Sequence, residues 1–184
     1  MFTSPPSVDL RLHRKVCHHG RPSPHRLSRG FSLVELAIVC AIISILAAVA
    51  VPLGRKLSAA ARTNATLNDL RIFSGAFQAY VQERASWPPS SAAGVFPPGM
   101  IGYLRASNWT RVTPIGGKYY WNPNSLHQGT RYRAVIVVAT VGQDRVTSDR
   151  NQLLEIDRKI DDGNLSSGNF RLGASNYPIY ILER

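Results

Sequence analysis

From Leu36 to Gly54 the chain reads LAIVCAIISILAAVAVPLG, without one charged side chain. About 18 such residues suffice for a helix that spans a bilayer. Ala, Leu, Ile and Val dominate the run, so the helix is apolar on every side. A soluble protein would have to enclose it in a large core, and a chain of 184 residues has little left to build one. The run is therefore read as a membrane span. An ordinary secretory signal is the rival reading, because Ala48-Val49-Ala50 has the small-x-small form that signal peptidase accepts. Against it, the run exceeds the usual apolar core of about 7–15 residues, and Glu35 sits at its start. Cys40 is a poor candidate for lipidation, because Val39 before it is not small. Bases flank both ends, Arg14, Lys15, Arg21, Arg26 and Arg29 before the run and Arg55, Lys56, Arg62 and Arg71 after it. The positive-inside rule thus favours a cytoplasmic N-terminus only slightly.

The chain is basic, with 22 Lys and Arg against 11 Asp and Glu. Residues 1–30 carry a share of that excess, with Asp9 as their one acid. They also contain Pro5, Pro6, Pro22, Pro24 and few large apolar residues, a composition that predicts a disordered leader. Cys17, His18 and His19 raise the question of a metal cluster; a solvated tail is the reading taken. After Pro52 there is no cysteine, which excludes a disulfide framework for the rest of the chain.

Glu35 is the anomaly. A carboxylate near the bilayer core costs about 2.5–3.5 kcal/mol on insertion scales, so it calls for a partner or for hydration. No cation lies in the same apolar segment. Either Glu35 sits close enough to the membrane surface to hydrate, or processing creates its partner. A cut between Gly30 and Phe31 would free an amine four residues from Glu35. In a packed array, one subunit's Glu35 would meet a neighbour's Phe31 amine.

The stretch RGFSLVELAIVCAIISILAAVAVP, from Arg29 to Pro52, resembles the N-terminus of type IV prepilins and of the pseudopilins of type II secretion systems. A basic leader, Gly30, Phe31, Ser32, Leu33, Val34 and Glu35 match that pattern without a gap, followed by the long apolar run. The resemblance implies cleavage between Gly30 and Phe31 by a prepilin peptidase, N-methylation of Phe31, an assembly role for Glu35 and a helix kink at Pro52. It implies residues 1–30 as a leader removed on processing and 31–54 as transmembrane helix and assembly segment. Residues 55–184 would then form a pilin-like globular domain in the periplasm. The protein would sit in the bacterial inner membrane as a single-pass protein and extend into a filament on assembly. Its partners would be other pilin or pseudopilin subunits and the secretion or pilus assembly platform. The leader is longer than that of major pilins, which suggests a minor pilin or pseudopilin, or a start codon placed too far upstream.

Beyond the span, Leu57, Ala60, Ala61, Leu67, Leu70, Phe73, Phe77, Tyr80 and Val81 recur at spacings of three and four and mark one helical face. Arg62, Asn64, Asn68, Asp69, Arg71 and Gln78 are assigned to the other. The spacing predicts one helix over about 32–85, ended by Ser86-Trp87-Pro88-Pro89. Residues 86–116 read as a long loop with a short helix near Gly99–Ala106. GGKYYWNP and TRYRAVIVVATVG read as strands, with Asn122 to Gly129 as the turn between them. Ser148 or Asp149 caps a helix closed by Gly163, and GNFRLG and YPIYIL are closing strands. The predicted fold class is α+β, a long N-terminal helix packed on a small antiparallel sheet.

No residue pattern supports an enzyme or a cofactor. After processing His127 is the one histidine, so no Ser-His-Asp set, zinc spacing or phosphate loop can be assembled. Asp157, Asp161 and Asp162 raise the question of calcium, but they lack the spacing of an EF-hand. A helix C-terminus is also unfavourable for bare carboxylates, so a helix-end turn without metal is expected. Arg131, Arg133, Arg145, Arg150, Arg158 and Arg171 are scattered, which favours a solvated surface over a nucleic-acid site. Trp87, Tyr119, Tyr120 and Trp121 are read as core rather than as a stacking platform for bases. The leading reading is a structural subunit of a filament. A membrane-anchored module that binds DNA or an exported substrate is the alternative.

Overall fold

The computed structural model describes residues 31–184. The expectations for the leader, for Cys17, His18 and His19, and for Gly30 lie outside the described residues. The chain divides into two compact units, Met1–Ser44 and Ile45–Arg184.

One helix, α1 (Leu33–Arg84), runs through 52 residues with Pro52 inside it. Every residue from Phe31 to Ser58 is exposed. Part of α1 is long and apolar enough to cross a membrane, and none of that part is buried by protein. Large apolar side chains left bare in this way are stable in lipid and costly in water. Burial starts at Thr63 and follows with Thr66, Leu67, Asp69, Leu70, Phe73, Ala76 and Phe77. The same helix thus changes from apolar all round to one-sided, as its spacing predicts.

The remaining elements are α2 (Ala106–Thr110), β1 (Lys118–His127), β2 (Thr130–Ala139), α3 (Arg150–Ile160), β3 (Phe170–Leu172) and β4 (Pro178–Glu183). The strands form one four-stranded sheet in the order β1-β2-β4-β3, and every pairing is antiparallel. The last strand lies inside the sheet, between β2 and β3. Alternation along the strands sorts two apolar sets. Tyr119, Trp121, Ile136 and Val138 join the main core, whereas Val135, Val137, Ile179 and Ile181 cluster separately with Tyr132.

The main core is an aromatic seam. Phe73 meets Trp109 and Tyr119 edge-on, with ring centroids 5.0 and 4.9 Å apart. Phe77 stacks on Trp121 at 4.0 Å and meets Trp109 edge-on at 5.6 Å. The Trp109 indole N–H donates to the Val95 carbonyl at 2.9 Å, and that of Trp121 to the Pro88 carbonyl at 2.9 Å. Both rings are therefore buried without an orphaned donor.

Four local expectations change. Asp69 lies in the core rather than on the polar face of α1. It is accommodated because Arg111 Nη2 donates to both carboxylate oxygens, at 2.7 and 2.6 Å, and Tyr119 Oη donates at 3.0 Å. Burial and the Asp69 carboxylate in turn push the Tyr119 phenol well above its usual range. Leu57, Ala60 and Ala61 stay exposed, since the buried stripe begins only at Thr63. The hairpin turn is shorter than expected, because β1 continues through Pro123 to His127. β1 is an edge strand, so one side of its backbone has no partner strand and a missing N–H is tolerated there. The turn itself is Gln128-Gly129, both at positive φ, the two-residue form that matches strand twist. The short helix predicted near Gly99–Ala106 begins instead at Ala106, after hydrogen-bonded turns over Met100–Leu104.

α3 is capped as expected. Asp149 Oδ1 accepts from the N–H groups of Asn151 and Gln152. The GG pair before β1 is a steric requirement, since a Cβ on Gly116 would lie 2.0 Å from the Arg145 carbonyl oxygen. Truncating the seam is expected to cost most. Phe77→Ala should lower the stability of the detergent-solubilised protein by about 3–5 kcal/mol in denaturant unfolding. Tyr119→Phe removes one hydroxyl and should cost about 0.5–1.5 kcal/mol. Equal losses for the two would contradict a seam held mainly by ring packing.

Candidate functional site

The start of α1 is built from a reciprocal pair. The Ser32 N–H donates to Glu35 Oε2 at 2.9 Å, and the Glu35 N–H donates to Ser32 Oγ at 3.2 Å. This is a capping box, in which Ser and Glu three residues apart each satisfy an orphaned donor of the first helical turn. Its sequence signal is Ser32-x-x-Glu35 ahead of the apolar run. The first backbone bond of the helix follows, from the Leu36 N–H to the Ser32 carbonyl at 3.1 Å.

This geometry fixes where the negative charge lies. Glu35 holds its carboxylate against the Ser32 N–H, one residue from Phe31. Phe31 itself is 84% exposed. The positive end of the helix dipole also stabilises a carboxylate there. The cap satisfies a hydrogen bond, yet it leaves the full charge unneutralised: among the described residues Glu35 has no ion pair. Further along, Ser44 Oγ donates to the Cys40 carbonyl at 2.7 Å, so this hydroxyl is satisfied within the helix.

In the unit Ile45–Arg184 the acid cluster is real in space. Asp157, Asp161 and Asp162 each offer an oxygen, all within 4.8 Å of one another. Asp157 is fully buried and neither of its oxygens has a hydrogen-bond partner. Burial and the facing Asp161 carboxylate push Asp157 up to about 7. Asp161 and Asp162 are exposed and engaged by the following loop. Asp161 accepts from the N–H groups of Asp162, Asn169 and Phe170, and Asp162 accepts from the Asn164 N–H and Ser167 Oγ.

Three of the arginines are tied to neighbours within the fold. Arg111 is held by Asp69, Arg133 pairs with Glu183, and Arg171 donates to the Gly168 carbonyl and the Tyr132 hydroxyl. Tyr119 and Trp121 are fully buried, and Trp87 leans on Trp121 at 5.3 Å while donating to Glu183 Oε2 at 2.6 Å. Tyr119 and Trp121 are core, Trp87 packs partly buried against them, and Tyr120 lies partly buried against the second cluster.

The family model of the prokaryotic N-terminal methylation motif matches residues 25–51. The chain is 37% identical over 68 residues to the fimbrial protein EcpC of Eikenella corrodens, covering 37% of this chain and 44% of that protein. It is 38% identical over 72 residues to the type IV major pilin protein PilE1 of Neisseria gonorrhoeae, covering 39% of this chain and 34% of that protein. The chain thus covers less than half the length of either relative. No solved structure matches it. The motif and the two relatives make part of the chain similar to type IV pilins, and the long apolar helix with a small antiparallel sheet is consistent with a pilin fold. The exposed apolar helix and the matched motif fit membrane anchoring.

The capping box makes its own prediction. Ser32→Ala removes the acceptor of the Glu35 N–H and should cost the first turn about 1 kcal/mol. In detergent micelles, hydrogen exchange at the Glu35 amide should speed up about fivefold while amides after Ile38 stay unchanged. An unchanged rate at Glu35 would mean that the pair does not persist in solution.

Proposed function

We propose that the chain is a structural subunit, and a minor one, of a type II secretion pseudopilus or type IV pilus-like filament. A prepilin peptidase would remove residues 1–30 by cutting between Gly30 and Phe31, and Phe31 would be N-methylated. Residues 31–54 would anchor the chain in the inner membrane, with residues 55–184 in the periplasm. The assembly platform would then draw the subunit into a filament made with other pilin or pseudopilin subunits. Pro52 lacks the N–H that would bond to the preceding turn, so it is the expected place for the helix to bend in a packed array.

The observation that carries this reading is the position of Glu35. Its carboxylate is held at the tip of the apolar first half of α1, beside the residue whose amine the cut would release. A charge left without a counter-ion in lipid favours any arrangement that brings a cation to it. Parallel helices offset along a filament bring one amine to each carboxylate. Ion pairing then sets the register, while contacts between bare apolar helices supply the area.

The capping box permits a sharp test. Glu35→Gln retains an oxygen that accepts from the Ser32 N–H but carries no charge. Glu35→Leu removes both cap and charge. Both variants should enter the membrane at least as well as the native chain, because a costly charge is gone. With the other subunits present, both should appear in sheared filaments at least about tenfold less than the native chain, the effect of losing about 1.4 kcal/mol per contact. Normal incorporation of Glu35→Gln with loss of Glu35→Leu would assign Glu35 a capping role only. Normal incorporation of both would remove it from assembly.

A further inference from the structure

We propose that the groove between the turns of α1 just past the span and the N-terminal end of α3 binds the phosphate headgroup of an anionic phospholipid, with Arg55 and Arg62 as its cationic walls.

The groove has a volume of about 380 Å³, within the range of small-ligand clefts. Arg55, Ser58, Arg62, Thr147, Asp149 and Gln152 line it. Helical spacing puts Arg55, Ser58 and Arg62 on one face of α1, so the two guanidinium groups flank a hydroxyl. Across the groove, the Asp149 N–H donates to Thr147 Oγ1 at 3.2 Å. That hydroxyl keeps its own proton to donate.

Two features set this groove apart from a solvated surface. The first is a pair of orphaned polar groups. Gln152 is buried and its side-chain nitrogen has no acceptor. Thr63 is buried as well, and its Oγ1 has no partner. Thr63 and Gln152 both line the adjoining recess, which shares Ala59 and Asp149 with the groove. A buried donor without an acceptor is costly, and an oxygen of a bound ligand relieves that cost. The second feature is charge. Among the described residues Arg55, Lys56 and Arg62 are in no ion pair. The neighbouring carboxylates are engaged elsewhere: Asp149 caps α3, and Glu155 pairs with Lys159 at 3.7 Å. The groove therefore offers unneutralised cations to an anion, and the positive end of the α3 dipole adds to them.

Position along α1 selects the anion, and here the inference rests on the reading of α1 as a membrane span. Arg55 directly follows Gly54, the last residue of the uncharged run. At a rise of 1.5 Å per residue, Arg62 stands about 12 Å beyond Gly54. The headgroup layer outside the hydrocarbon core is about 5–8 Å thick. Helix side chains slope toward the helix N-terminus, here toward lipid, so Arg62 has the reach to meet phosphate in that layer. Anionic lipids attract bases beside a span. A zwitterionic lipid carries the same phosphate but brings an ammonium with it, which the two guanidinium groups disfavour.

The test uses the full chain in dodecyl maltoside, titrated with short-chain phosphatidylglycerol, short-chain phosphatidylcholine or inorganic phosphate. Phosphatidylglycerol should bind saturably. It should raise the thermal midpoint by about 5–10 °C at a hundredfold excess over its dissociation constant. Arg55→Gln and Arg62→Gln should each weaken that binding about fivefold. Arg105→Gln, at an exposed arginine outside the groove, should leave it unchanged. Gln152→Leu removes the orphaned donor. Without lipid it should therefore melt no lower than the native chain, and it should bind phosphatidylglycerol about tenfold more weakly. If Gln152→Leu fails to fold, the two arginine variants decide the matter. Native affinity in both arginine variants would overturn the groove as the site. Equal binding of phosphatidylcholine would overturn the choice of an anionic lipid, and an equal shift with inorganic phosphate would overturn lipid as the occupant. Alkaline carbonate extraction from vesicles separates the two levels of failure. Release of the chain would contradict the span itself, whereas retention without preference for phosphatidylglycerol would contradict the groove alone.

Discussion

The folded part of the chain depends on the contact between α1 and the aromatic residues of β1 and α2. Phe77 lies on Trp121, and Phe73 fits between Trp109 and Tyr119. Without that seam, the sheet would present Tyr119, Trp121, Ile136 and Val138 to water. The helix would lose the only face along which it is amphipathic. Asp69 completes the seam: with Arg111 and Tyr119 it adds a directional contact to packing that alone would tolerate sliding. Truncation of either partner leaves a buried polar atom unmatched, so the contact specifies as well as stabilises.

The same helix meets a second constraint at its other end. From Phe31 to Ser58 no side chain is covered by protein. Burial there must come from lipid or from other copies of such helices, and Glu35, at the start of the apolar run, lies where that burial would begin. The capping box reconciles a carboxylate with a helix start, since it pairs the donors of the first turn. It does not neutralise the charge. Among the described residues the start of α1 is satisfied in hydrogen bonds and unpaired in charge.

Much of this was legible in the sequence because periodicity reports burial directly. The switch from an unbroken apolar run to spacings of three and four located the transition in α1, and alternating aromatic and β-branched residues located β1 and β2. The Asp149 cap followed from residue chemistry next to an apolar face. The failures share one cause, which is that polar and turn-forming residues take their meaning from distant partners. Asp69 reads as surface until Arg111, 42 residues away, is placed beside it. Pro123 reads as a turn until β1 is known to be an edge strand. Asp157 reads as an ordinary helix-end acid, and only the fold shows it buried against Asp161 and Asp162. At the N-terminus Ser32-x-x-Glu35 is a capping pattern legible in its own right.

The account's central claim is that a cut after Gly30 gives Glu35 the amine it lacks. Mass spectrometry of the N-terminal peptide from membrane-extracted protein tests it most directly. The account predicts Phe31 as the first residue, heavier by one methyl group on its nitrogen. Detection of Val51 as the first residue would indicate ordinary signal cleavage, and an intact Met1 in assembled material would mean that no amine is released beside Glu35; either result would contradict the claim.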